Sequence, residues 1–158
     1  MSIKVGISMR VISEHRYEEE RDSISHDWIN FFKENNIQFV LIPNYGKSVI
    51  NFLKKVNPNL IILSNGNDII HENLNNKDND SSPLRDLTEK LIIEYSLKNK
   101  IKILGVCRGA QILNIYFGGK LVYKQTSSHI SKVFEKKIID ERFIEYFKKK
   151  SIMTNCFH

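Results

Sequence analysis

The sequence predicts a three-layer α/β/α sandwich around a mostly parallel sheet, and three observations predict it. Short continuous apolar runs at Lys4–Met9, Gln38–Ile42, Asn59–Leu63 and Ile101–Val106 have the length and β-branched content of strands buried on both faces. Segments with apolar residues at helical spacing alternate with them, as in strand–helix–strand crossovers. The fourth run passes into a helix through Gly105-Val106-Cys107-Arg108-Gly109, a tight turn that suits the C-terminal edge of a central strand.

The elements follow in order. Residues 20–35 read as a helix because Ile24, Trp28 and Phe32 fall at i, i+4 and i+8. Pro43 closes the second strand, and Val49, Ile50, Phe52 and Leu53 mark a helix over 47–56. A polar Asn/Asp-rich loop covers 65–82, with 73–82 the one low-complexity patch, read as a flexible insertion. Pro83 opens a long helix to about Asn99, with Leu84, Leu87, Leu91 and Tyr95 as its apolar face. A helix over 108–117 ends at Gly118–Gly119. Beyond it the pattern changes to short β-like pieces (120–123, 129–134, 137–139), a basic helix near 140–150 and a strand from Ser151.

A length of 158 residues is one domain's worth of chain. With 41% hydrophobic and 27% charged residues, disorder and membrane spanning are both excluded as expectations. The N-terminus has no signal-peptide pattern, so the expected location is the cytoplasm. Two cysteines, Cys107 and Cys156, are too few for a disulfide framework. The net charge of +6 raises nucleic acid as a partner, but its distribution speaks against it. Residues 1–119 hold 15 basic and 14 acidic side chains, whereas residues 120–150 hold 9 and 4. That flank reads as a Lys-rich solvated surface, with an anion-attracting rim as the alternative. No nucleic-acid polymer and no membrane partner is expected.

Cys107 occupies the nucleophile position of a G-x-[nucleophile]-x-G elbow. The turn is so tight that side chains two positions either side would collide, hence Gly105 and Gly109. A thiol there sits at a helix N-terminus, which favours thiolate. The backbone N–H of Arg108 is placed to meet a developing oxyanion. The competing reading of Cys107 is a small buried residue.

GVCRGAQILN followed by FGGKL resembles the class I glutamine amidotransferase-like superfamily, and within it the γ-glutamyl hydrolase (peptidase C26) branch. Three further stretches agree: LSNGNDI at 63–69, where Asn65 replaces the first Gly of an LxGGxD oxyanion strand; Arg85-Asp86 with Glu89, like an RDxxE segment; and Asn155-Cys156-Phe157-His158, like an NSxH segment. The resemblance implies a flavodoxin-like fold and hydrolysis of a γ-glutamyl amide through a Cys107 thioester, with Gly66 as second oxyanion donor and no metal or organic cofactor. It implies that Asn65, Gln111, His129 and His158 line the substrate pocket, and that Cys156 stands at a family Ser position. A narrower likeness, carried by Gly6–Arg10, 17–28 and Leu41–Asn44, is to small hydrolases of bacterial surface-polysaccharide clusters. It implies a small-molecule, nucleotide-linked substrate, a γ-glutamyl CDP-amidate of capsule phosphoramidate synthesis.

The chain also departs from the pattern. The family completes its triad with a His and a Glu in a segment like Q-[FW]-H-P-E, and this sequence has none. The expectation is therefore an N-terminal portion of a protein of about 200 residues. A free-standing hydrolase, the glutaminase half of an ammonia-transferring complex and an inactive fragment all stay open, as does homo-oligomerisation. Arg10, Arg16 and Arg21 follow the first strand, where such sheets bind ligands, and an arginine fork suits a diphosphate. Salt bridges with 18–20 are the alternative. Asp68 is expected to cap or brace the oxyanion loop. His15, His26 and His71 lack metal-like spacing and read as surface residues.

Overall fold

The structure is a computed structural model that describes residues 3–14, 16, 18–70, 80–121 and 132–156. It falls into two compact units, residues 1–121 and 122–158.

The first unit is built on four parallel strands: β1 (Lys4–Ser8), β4 (Gln38–Ile42), β5 (Leu60–Leu63) and β6 (Lys102–Gly105), in the order β4-β1-β5-β6. Ile7 pairs with Leu41 on one side and Ile62 on the other, and Leu63 pairs with Gly105. Helices cover both faces, as the apolar runs predict. Ile61 and Leu63 pack with Val49 and Leu53 of α2 (Val49–Val56), Ile92 and Ile93 of α3 (Pro83–Lys98) and Ile112 of α4 (Arg108–Tyr116). Val5, Ile7 and Ile62 pack on the other face with Phe32 of α1 (His26–Glu34). The helix starts are capped as their sequences suggest. Ser25 accepts from the N–H of Asp27, and Ser82 accepts from that of Arg85 ahead of Pro83. Among the described residues, no helix is long and apolar enough to cross a membrane.

Two sequence expectations are corrected in this unit. The predicted helix over 20–35 begins only at His26. Residues Glu19–Ser23 form β3, which pairs antiparallel with β2 (Arg10–Glu14) in a hairpin beyond β1. Ile24 still packs beside Trp28 and Phe32, so its helical spacing was a coincidence of a turn entering the same core. The buried face of α3 is also only partly the leucine stripe: Leu91 and Tyr95 pack against the core. Leu84 and Leu87 are about half exposed beside Gly46, while Arg85, Thr88, Glu89, Ile92, Ile93 and Ser96 face inward. Buried charges that neutralise one another can displace apolar residues from a core face, and hydropathy does not register such a pairing.

In the second unit, β7 (Lys132–Lys137) and β8 (Ser151–Cys156) pair antiparallel, joined through α5 (Glu141–Phe147). Of the separate pieces expected at 129–134 and 137–139, residues 129–131 lie outside the described residues, 132–137 form one strand, and 138–140 lead into the Asp140 cap of α5. Phe143 and Phe147 stack at 6.1 Å, one turn apart.

Candidate active site

The elbow closes on itself through backbone contacts. Beyond the β5–β6 ladder, the N–H of Val106 still reaches the Leu63 carbonyl at 2.9 Å. Cys107 then turns with φ 55° and ψ −110°, a conformation that L-residues rarely hold, and caps the N-terminus of α4. Its carbonyl accepts from Ala110 at 2.9 Å and Gln111 at 3.1 Å. A Cβ on Gly105 would lie 2.4 Å from the Gly109 carbonyl oxygen, and one on Gly109 would lie 2.0 Å from that of Leu63. Both glycines are therefore needed for the reason the motif suggests. The thiol is half-buried, at the positive end of α4.

Because Leu63 lies beside Gly105, the loop that leaves β5 runs next to the elbow. The N–H of Ser64 donates to Ser8 Oγ at 3.0 Å. Gly66 (φ +81°) and Asn67 (φ +59°) both lie in the left-handed region. Among the described residues, the N–H groups of Gly66 and Arg108 meet no acceptor. The side-chain Oδ1 of Asn65 accepts from Trp28 Nε1 at 3.0 Å. The brace expected of Asp68 comes from Asn67. Asn67 is buried, accepts from the Val11 N–H and donates to the Val11 carbonyl, both at 2.8 Å. Asp68 is exposed, and its N–H is held by Asp80 at 2.6 Å.

Beneath the loop lies a charge cluster that residue-by-residue reading did not anticipate. Arg85 and Arg108 have wholly buried side chains. Glu89 bridges them: Oε1 accepts from Arg85 Nε at 2.9 Å and from Ser8 Oγ at 2.7 Å, while Oε2 pairs with Arg108. Arg108 also pairs with Asp86, whose other oxygen accepts from the Ile70 N–H at 3.0 Å. Arg108 Nε has no partner among the described residues. Burial, the largest influence on each, pulls the Arg85 guanidinium below its usual range and pushes the Asp86 carboxyl above its own. The available signal was the RDxxE spacing, which places positions 85 and 89 one above the other on a helix.

Arg10 is exposed at the start of β2, and its stem lies over the loop, since a Cβ on Gly66 would be 2.8 Å from Arg10 Cδ. Together with Ser23, Ser25, Ser64 and Asn65 it lines a small open cleft. Arg21 is bound to Glu19 at 2.8 Å with both half exposed, and Arg16 is exposed, so only Arg10 of the three reaches the loop. Gln111 is half-buried one turn past Cys107. His129 and His158 lie outside the described residues, as do His15 and His71 and the side chain of Cys156. His26 is the one described histidine, at the start of α1. Among the described residues, no three His, Cys, Asp or Glu side chains are grouped to hold a metal ion.

The γ-glutamyl-CDP-amidate hydrolase of Campylobacter jejuni is 31% identical over 155 residues, which cover 98% of this chain and 69% of that protein. A Schizosaccharomyces pombe protein assigned by name to the glutamine amidotransferases is 46% identical over 79 residues, 45% of this chain and 30% of its own. A glutamine amidotransferase-like protein of Lactococcus lactis, YvdE, is 36% identical over 110 residues, 65% of this chain and 46% of its own. The chain thus spans about two thirds of the first relative and less than half of the other two. The peptidase C26 model matches residues 4–158 from the first strand through the elbow and beyond, and the chain belongs to the peptidase C26 family.

Proposed function

We propose that the protein hydrolyses a γ-glutamyl amide through Cys107. The observation that carries this reading is the elbow: a half-buried thiol held at positive φ on a helix N-terminus by glycines that admit no side chain. The Cys107 thiolate attacks the γ-carbonyl carbon, forming the C–S bond and moving the π electrons to oxygen. The N–H groups of Gly66 and Arg108 hold that oxyanion. Collapse breaks the C–N bond, and the leaving nitrogen takes a proton. Water then attacks the thioester, releasing glutamate and returning the thiolate. The proton transfers call for a histidine and a supporting carboxylate, a pair not found among the described residues. Asn65, Gln111, His129 and His158 are assigned to the glutamyl pocket on family resemblance.

The leading substrate is the γ-glutamyl CDP-amidate named for the Campylobacter relative, which matches nearly the whole of this chain. Arg10 supports it. Its guanidinium has no acidic partner among the described residues and stands at the loop, where a leaving-group diphosphate would lie. The products are then glutamate and cytidine diphosphoramidate, a step that fits capsule biosynthesis. A second reading, a glutaminase that supplies ammonia, is favoured by the names of the other relatives.

The test is release of glutamate from γ-glutamyl-CDP-amidate and from glutamine, with mass spectrometry of the protein during turnover. A glutamyl adduct on Cys107 and loss of release in Cys107→Ala are expected. Release that survives Cys107→Ala defeats the proposal. Preference for glutamine, with a stable synthetase partner, selects the second reading.

A further inference from the structure

We infer that Arg85 is a positioning residue for the oxyanion site: its guanidinium turns the loop's backbone N–H groups outward, and Glu89 ties that loop to the nucleophile elbow. The inference rests on the hydrolase reading above and deepens it.

The argument begins with what Arg85 holds. Its Nη2 donates to the Ser64 carbonyl at 2.9 Å, Ser64 Oγ at 3.1 Å and the Asn65 carbonyl at 3.2 Å. Its Nη1 donates to the Gly66 carbonyl, and to Asn67 Oδ1 with a separation of 2.9 Å in the second case. Three consecutive carbonyls therefore face one buried cation. The peptides are trans, and in a planar trans peptide the C=O of one residue and the N–H of the next point in opposite directions. Fixing the carbonyls of 64, 65 and 66 on Arg85 thus turns the N–H groups of 65, 66 and 67 away from it. None of those three donors meets a described acceptor. The left-handed φ of Gly66 turns the peptide planes on either side of it so that the carbonyls of 65 and 66 reach the same guanidinium.

Glu89 connects this loop to the other donor. One carboxylate oxygen holds Arg85; the second holds Arg108, the residue whose backbone N–H opens α4 beside Cys107. Ser8 Oγ completes the link, donating to Glu89 at 2.7 Å and accepting from the Ser64 N–H at 3.0 Å. The side chain that follows the nucleophile is consequently spent inward, and its role in this site is to anchor its own backbone.

Neutralising charge alone does not explain the geometry. A lysine balances Glu89 equally well, but an ammonium has three donors, and Arg85 serves six acceptor atoms. The decisive variant is therefore Arg85→Lys in the full chain. Acylation of Cys107 is read by p-nitrophenolate release from a γ-glutamyl p-nitrophenyl ester, whose leaving group needs no protonation. Alkylation by iodoacetamide reads the thiolate without any oxyanion. The expected result is a fall of about 10²-fold in the saturating acylation rate, with half-saturation changed by less than about 3-fold and alkylation by less than about 2-fold. Acylation within about 3-fold of wild type overturns the inference. Alkylation that falls together with acylation also overturns it, because Arg85 then merely supports the elbow. If the lysine variant does not fold, Glu89→Asp keeps the charge but retracts the carboxylate by one methylene, and the same two readouts apply with the same expectations. A wild-type chain that alkylates at Cys107 but is not acylated refutes the hydrolase reading itself, and the inference with it. Normal wild-type acylation beside an unaffected Arg85→Lys refutes the inference alone.

Discussion

Replacing Gly109 with alanine tests the elbow where its tolerance is smallest. The new methyl would stand 2.0 Å from the Leu63 carbonyl oxygen, 2.6 Å from its carbon and 2.8 Å from Leu63 Cβ. An ordinary C···O contact is about 3.3 Å or more, so α4 must withdraw from β5 by more than about 1 Å. Backbone cannot rotate aside as a flexible side chain does. Overpacking of this kind costs about 1–3 kcal/mol. The withdrawal also stretches the Val106–Leu63 hydrogen bond of 2.9 Å, a further loss of about 1 kcal/mol. The helical preference for alanine over glycine returns about 0.5–1 kcal/mol. The net loss is about 2 kcal/mol, which for a chain of this size lowers Tm by about 4–8 °C. Gly118→Ala is the control: it has φ +84° and nothing within 4 Å, so only left-handed strain of about 1 kcal/mol applies. Thermal unfolding followed by circular dichroism measures both. A Gly109→Ala Tm no lower than that of Gly118→Ala refutes the reasoning, because the close approach of α4 to β5 would then be absent.

Other consequences follow from the same contacts. Arg10→Ala should raise KM for γ-glutamyl-CDP-amidate about 10-fold or more while leaving that for a γ-glutamyl anilide within about 2-fold; equal effects on both substrates exclude a diphosphate contact. Asn67→Ala leaves the Val11 N–H and carbonyl without their 2.8 Å partners, so a loss of about 3 kcal/mol and faster exchange of the Val11 amide are expected in denaturant titration and hydrogen exchange. Trp28→Phe keeps the stack on Phe32 but removes the 3.0 Å bond to Asn65; a stability cost of only about 1 kcal/mol should accompany it in chemical denaturation. Asp86 has a folded-state pKa raised by burial, so the folded protein binds its proton at higher pH than the unfolded chain. The stability of wild type relative to Asp86→Asn should therefore rise as pH falls through that raised pKa, and level off below the ordinary aspartate value. A difference that stays flat or falls there contradicts the assignment.

Much of this architecture is legible from residues alone, because its signals are local. Gly105, Cys107 and Gly109 declare a turn that only one strand-to-helix geometry satisfies, and the four apolar runs need no partner to be recognised as buried strands. The hairpin escaped because Glu19–Ser23 is all polar, with acids and arginine at spacings that also suit a solvated helix. Its strand character comes from pairing with residues 10–14, a tertiary circumstance that β propensity does not encode. The inward face of α3 escaped for a similar reason. Arg85 and Glu89 become interior residues only because Arg108, from another helix, completes their neutralisation. Asn67 took over the role expected of Asp68 because its amide both donates and accepts, and Val11 offers both groups in return.

Among the described residues, side-chain hydrogen bonds fasten the hairpin at two points: Val11 to Asn67, and Asp22 to the buried Asn44, whose N–H it receives at 2.8 Å. Ile12, Ser13, Glu19, Glu20 and Arg21 are exposed. Such an element can diversify as a cassette. Residues on its outer face can change while one contact keeps it on the loop and the other keeps it on the chain after β4. On the hydrolase reading, recognition of the leaving group on the hairpin is thereby separable from bond breaking at the elbow of residues 105–109, to which the hairpin contributes no residue.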